Sequence, residues 1–200
     1  NAYLNVAKTI ALISFPLMMG VMVLASPFVL MAFGEKWQPV ILLIMVLAPV
    51  GLIQSIETTV GSIYSAKGRT DLMFYWGVGA GLFVIMAFIV GLQWGIVGVA
   101  TAYAIASFSL SYLNFSIPFQ LIDLKFSQLL GVLWKPFMNS LIMFVVIIGF
   151  KAILPATFSY TTELDLSIAL GISVYGIANW LNNKKQLNEL WVLVGFGRIK

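Results

Sequence analysis

The chain of 200 residues contains no cysteine and no histidine, and only 9% of its residues are charged. Without those two residue types it can build no disulfide, no Cys or His metal site, no thiolate nucleophile and no imidazole general base. No catalytic residue, metal or cofactor is therefore expected. The scarcity of charge excludes more. A soluble domain carries roughly 25% charged and about 45 to 50% apolar residues, whereas this chain is 61% apolar with a mean hydropathy of +1.02. Too little polar surface remains to cover a water-facing globule, so soluble enzymes and soluble binding modules are ruled out. What is present instead is a succession of long uncharged runs. The chain opens on Asn1 rather than Met, and its first apolar run is too long for a signal peptide, so a piece of a longer protein is expected.

A helical crossing needs about 20 apolar residues, and the runs divide at their polar breaks. Spans are predicted at about 9–33, 40–64, 72–90, 96–113, 137–154 and 166–181. Gly34 to Pro39 and Ser65 to Asp71 are clear connections, and Gly91-Leu92-Gln93-Trp94-Gly95 is the one plausible reversal in the uncharged stretch from Leu72 to Ile122. Phe126, Leu129, Leu130 and Leu133 recur at helical spacing, which predicts an amphipathic surface helix within about 120–134, starting near Ser127 and broken by Pro136. Residues 184–200 form a basic tail. The fold class is thus an all-α polytopic membrane bundle of about six transmembrane helices.

The charges orient this bundle. Of the 11 basic residues, Lys36 and Lys151 fall on one side, while Lys8, Lys67, Arg69, Lys125, Lys135, Lys184, Lys185, Arg198 and Lys200 fall on the other. By the positive-inside rule the richer side, with both ends of the segment, is cytoplasmic. The net charge of +4 is then an orientation signal, and no nucleic-acid partner is needed to explain it.

Glu57 is the leading candidate for function. It lies about 12 Å along the helix from Ser65, at ~1.5 Å per residue, and a carboxylate at membrane depth costs ~2.5 to 3.5 kcal/mol unless it faces a bundle interior or a wet cavity. Gln54, Glu57, Thr58, Gly61, Ser62 and Ser65 share one helix side, a stripe that could line a transport path or could simply fix packing against a neighbouring span. Pro16 and Pro27 are expected to kink the first span, as gate elements or as ordinary membrane prolines. Lys67 and Arg69 could meet lipid head groups or serve only as topology signals. Gly77 with Gly81, and Gly95, Gly98, Ala102, Ala106 and Ser109, are small-residue faces expected to pack the third span against the fourth. Trp37, Trp94, Trp134 and Trp180 read as interfacial anchors. No GK[ST] element follows any glycine cluster, so no nucleotide-driven motor is encoded in this stretch.

The order Phe15-Pro16-Leu17, Phe33-Gly34-Glu35-Lys36-Trp37, Ser65-Ala66-Lys67-Gly68-Arg69-Thr70-Asp71 and Gly95-Ile96-Val97-Gly98-Val99-Ala100 resembles the bacterial polysaccharide flippases. These belong to the multidrug/oligosaccharidyl-lipid/polysaccharide exporter superfamily, and the likeness is greatest to lipopolysaccharide biosynthesis proteins of the colanic-acid-exporter type. The resemblance implies two lobes of helices around a central cavity in a bacterial inner membrane. This chain would be the C-terminal portion, partnered by an N-terminal lobe. It also implies transport of a polyprenyl-pyrophosphate-linked oligosaccharide from the cytoplasmic to the outer leaflet by alternating access. An ion-coupled multidrug exporter of the same superfamily is the alternative, and a wholly apolar cavity would favour it. A membrane-embedded glycosyltransferase or polymerase is opposed by short outer loops offering only Glu35, Glu163 and Asp165 as acids. A purely structural membrane subunit would be favoured if Glu57→Gln left export unchanged.

Overall fold

A computed structural model describes residues 2–155 and 158–182. Seven helices make up the described chain. They are α1 (Ala2–Ala32), α2 (Gln38–Glu57), α3 (Val60–Ala66), α4 (Thr70–Gly91), α5 (Gly95–Gln120), α6 (Phe126–Ile153) and α7 (Tyr160–Asn182). Short 3-10 turns at Glu35–Trp37 and Leu92–Trp94 join α1 to α2 and α4 to α5. Five continuous helical runs are long and apolar enough to cross a membrane, and the longest, Thr70–Gln120, is the folded-back pair α4 and α5. Helix is the expected outcome, since in lipid every backbone N–H and C=O must be satisfied within its own segment.

α1 is the hub, packing on α2, α6 and α7, while α5 bridges α2 to α4. Ala7 and Ala11 on α1 are fully buried, and their small side chains let neighbouring backbones approach. Around them Phe15, Ile56, Tyr64, Phe119 and Leu129 form a core at the end of the bundle that carries the Ser65–Asp71 loop. At the opposite end Met19, Val23, Leu24, Met143, Ile147 and Leu164 join α1 to α6 and α7. Elsewhere large apolar side chains point outward, among them Phe74, Met86, Ile96 and Ile105, as a lipid-facing surface requires.

The α4–α5 reversal is the tightest feature. A Cβ placed on Gly98 would lie 2.3 Å from the Gly91 carbonyl oxygen, and one on Gly91 would lie 2.7 Å from the Gly98 carbonyl oxygen. The two backbones touch there, and Gly95 turns the chain at φ +69°, a conformation that glycine adopts without strain. This corrects the expectation for Gly77 and Gly81, which face open space; the glycines that bring α4 and α5 into close approach are Gly91 and Gly98.

Three further expectations change. The surface helix predicted within 120–134 is not separate: α6 runs without a break from Phe126 through Pro136 to Ile153. Pro136 removes one hydrogen bond but is itself fully buried, and tertiary packing carries the helix past it. Leu129 is buried, with Phe126 and Leu133 packed beside it, while Leu130 is exposed. The fourth span continues beyond Leu113 to Gln120, and the chain then turns at Asp123, whose φ of 52° is left-handed. Ser127 lies in the first turn of α6, but the start is secured by the Lys125 N–H donating to the Gln128 side chain at 3.1 Å. The second span is divided at Thr58 and Thr59 into α2 and α3. The basic tail, with Lys184, Lys185, Arg198 and Lys200, lies outside the described residues.

Candidate functional site

The division between α2 and α3 arises from a run of hydroxyl residues. Ser55, Thr58, Thr59 and Ser62 each donate to the backbone carbonyl three residues earlier, at 2.6 to 2.8 Å. Such bonds compete with the helical ladder and interrupt it. The polar stripe predicted along one helix side is therefore split. Gln54 donates to the Tyr103 hydroxyl on α5. Glu57, half-buried, reaches the Asn114 side chain, which also lies on α5. Asn114 is fixed in turn by the Trp76 indole N–H of α4, donating to its Oδ1 at 2.8 Å. Thr58 and Ser62 are exposed and bond only to their own helix. The Thr59 hydroxyl also lies within hydrogen-bond distance of the Tyr3 hydroxyl of α1, at 3.1 Å, so side chains from α1, α2, α4 and α5 converge at the break.

Lys67 and Arg69 lie on the exposed connection that follows. Arg69 makes paired contacts to Asp71 at 3.1 and 3.2 Å, which places an acid in the first turn of α4 where the helix dipole favours it. Lys67 closes α3, exposed. Trp37, Trp94, Trp134 and Trp180 are all exposed, at 53 to 68%.

Pro16 and Pro27 both fall inside α1, as the sequence predicts. Each lacks the N–H that would bond the carbonyl four residues earlier, at Leu12 and Val23. The Tyr175 hydroxyl of α7 donates to the Leu12 carbonyl at 2.7 Å, and the Lys151 ammonium of α6 donates to the Val23 carbonyl at 3.0 Å. Lys151 is also paired with Glu163 at the start of α7, at 3.3 Å.

A cavity of about 740 Å³ lies beside these contacts, bordered by α1, α2, α6 and α7. Its lining is almost wholly apolar, with Pro16, Leu24, Phe28, Ile147 and Ile172 among the walls and Ser167 and Tyr175 as its hydroxyl groups. Glu57 does not line it.

A buried amide cluster between α6 and α7 escapes the sequence reading. Asn139 donates to Asn179 at 3.0 Å and accepts from Asn182 at 3.3 Å, while Lys135 reaches the Asn182 carbonyl at 3.4 Å. The signal was available: Tyr175, Asn179 and Asn182 recur at helical spacing in the last span.

Seven helices with an outward apolar surface and polar groups paired across the interior define a multi-pass helical membrane bundle. Residues 1–42 match the family described as "Polysaccharide biosynthesis protein". Over 175 residues the chain is 34% identical to the teichuronic acid biosynthesis protein TuaB of Bacillus subtilis (strain 168), covering 85% of this chain and 35% of that protein. It is 30% identical over 146 residues to the lipopolysaccharide biosynthesis protein WzxC of Escherichia coli (strain K12), covering 72% of this chain and 30% of that one. Among solved structures, the lipid II flippase MurJ in its inward closed conformation superposes with a TM-score of 0.73 at 24% identity, over 94% of this chain and 40% of that chain. The MurJ likeness concerns the fold alone. These matches bear out the resemblance to the polysaccharide flippases of the multidrug/oligosaccharidyl-lipid/polysaccharide superfamily, and the chain spans about a third of the length of the two curated relatives.

Proposed function

We propose that the chain is part of a transporter that flips a lipid-linked oligosaccharide, a polysaccharide or lipopolysaccharide precursor, across the bacterial inner membrane by alternating access. The observation that carries this is the alignment of most of the chain with two proteins named for the biosynthesis of teichuronic acid and lipopolysaccharide. The fold it shares with a lipid flippase supports the same reading. The rest of the machine would be the N-terminal lobe against which this segment rocks. An enzyme of the same pathway is disfavoured, because Glu163 is tied to Lys151 and, among the described residues, only Glu35 and Asp165 remain as acids at that end.

Deleting the gene in its host is expected to remove the surface polymer and to leave lipid-linked glycan reachable only from the cytoplasmic face, as assayed in inverted membrane vesicles. Parental surface polymer would overturn the reading. The second reading, a multidrug exporter, draws on the apolar cavity beside α1, and it requires drug sensitivity in place of the polymer defect.

The proposed topology has six crossings, with α2 and α3 forming one and the α4–α5 pair forming two, and cytoplasmic ends. In the full-length protein, a cysteine replacing Thr70 should be protected from an impermeant maleimide added outside whole cells. One replacing Ser159 should be labelled. The opposite pattern would invert the assignment.

A further inference from the structure

A proline inside a membrane helix normally leaves a carbonyl without a partner, at a depth where water cannot supply one. In α1 this happens twice, and both carbonyls are met by side chains from other helices. Tyr175 of α7 supplies an O–H to Leu12, and Lys151 of α6 supplies an N–H to Val23. The two bonds lie far apart in sequence from their acceptors and come from different helices. The stretch of α1 from Pro16 to Phe28 forms one wall of the apolar cavity; Leu12 lies one turn before it and Val23 lies within it. Tyr175 is itself part of the opposite wall, and Lys151 lies one helical turn beyond the lining residue Ile147. Glu163 holds the same ammonium from α7, so the upper bond ties three helices together.

We propose that α1 is a clamped hinge, in which Lys151 and Tyr175 close the two gaps that Pro27 and Pro16 open in its hydrogen-bond ladder and thereby set the width of the cavity between α1 and α7. A proline-bent helix with free carbonyls can flex at its prolines. One whose carbonyls are held from outside can bend only if the donors travel with it or are exchanged. α1, α6 and α7 thus move as one body while both bonds persist, and releasing the Lys151 bond frees the half of α1 that follows Pro27. Lys151 is a positioning residue in this scheme, acting through the backbone of α1. Its contact with Glu163 keeps the ammonium over Val23, since a lysine on a flexible stem would otherwise turn toward the membrane surface.

The test reads geometry and so stands apart from the flippase proposal. Spin labels on cysteines replacing Leu17 and Ile172, exposed residues on opposite walls of the cavity, report the α1–α7 separation in the full-length protein in lipid nanodiscs. Lys151→Met together with Glu163→Gln, which leaves no lone charge, is expected to shift this distance distribution and broaden it. Tyr175→Phe, which removes a single oxygen, is expected to do the same from the other end of the cavity. Pro27→Ala restores the N–H that Val23 lacks, so in that background the Lys151→Met/Glu163→Gln pair should have no further effect. Pro16→Ala should cancel the effect of Tyr175→Phe in the same way. A general loosening of the bundle would instead broaden the distribution equally with and without the prolines. That result, or an unchanged distribution in the proline-containing protein, overturns the clamp.

Discussion

Gly98→Val is expected to lower the thermal midpoint of the purified full-length protein by roughly 3 °C, from an overpacking cost of about 3 kcal/mol. The Cβ of any replacement would meet the Gly91 carbonyl oxygen at 2.3 Å and the Trp94 Cβ at 2.5 Å. The first of these is backbone, which cannot rotate away as a side-chain tip would. Relief requires α4 and α5 to part at their turn, and that contact is made by Gly91 and Gly98 from both sides. Gly77→Val is the control. Its Cβ points into open space, so the midpoint should stay at the parental value. Heating in detergent followed by size-exclusion chromatography measures both, and equal midpoints for the two variants would refute the close approach.

Glu57→Gln is expected to reduce surface polysaccharide at least about tenfold, an effect equivalent to ~1.4 kcal/mol on the transport step, with the amount of protein in the membrane unchanged. The two halves of that expectation have different origins. Glutamine keeps the length and shape of the side chain and can still bond the Asn114 amide, which Trp76 holds in place, so the packing at the break between α2 and α3 should survive. What is lost is the ionisable carboxyl, a group that is costly to keep half-buried at membrane depth. Complementation of a deletion strain, with immunoblotting of membranes, separates the outcomes. Parental polysaccharide would leave Glu57 as a packing residue.

The features legible in the sequence are those set by one segment at a time. The apolar run of α1, the Ser65–Asp71 loop and the reversal at Gly91 to Gly95 each follow from local composition, and the structure has helices and turns at these places. Glu57 stood out because charge is so rare around it. Features that depend on which helices become neighbours were hidden. Pro136 reads as a break until its burial between helices is known, and Gly77 with Gly81 reads as a packing face until α5 is found to approach at Gly91 instead. Thr58 looks like one more polar position on the stripe, yet its hydroxyl and that of Thr59 beside it turn back on the carbonyls and divide the helix. Asn139 and Asn179 weaken the apolar signal of their spans in isolation. They become intelligible only as partners.

The turn between α4 and α5 also bears on how the chain enters the membrane during synthesis. Only Leu92–Trp94 separate the two helices, and no charged residue occurs between Asp71 and Asp123. Neither helix carries its own stop or orientation signal at the turn, so the ribosome-bound chain has no cue to halt after α4 and re-initiate at α5. The pair is therefore expected to enter the bilayer together as a hairpin, with its direction set by Lys67, Arg69 and Lys125 at its two open ends.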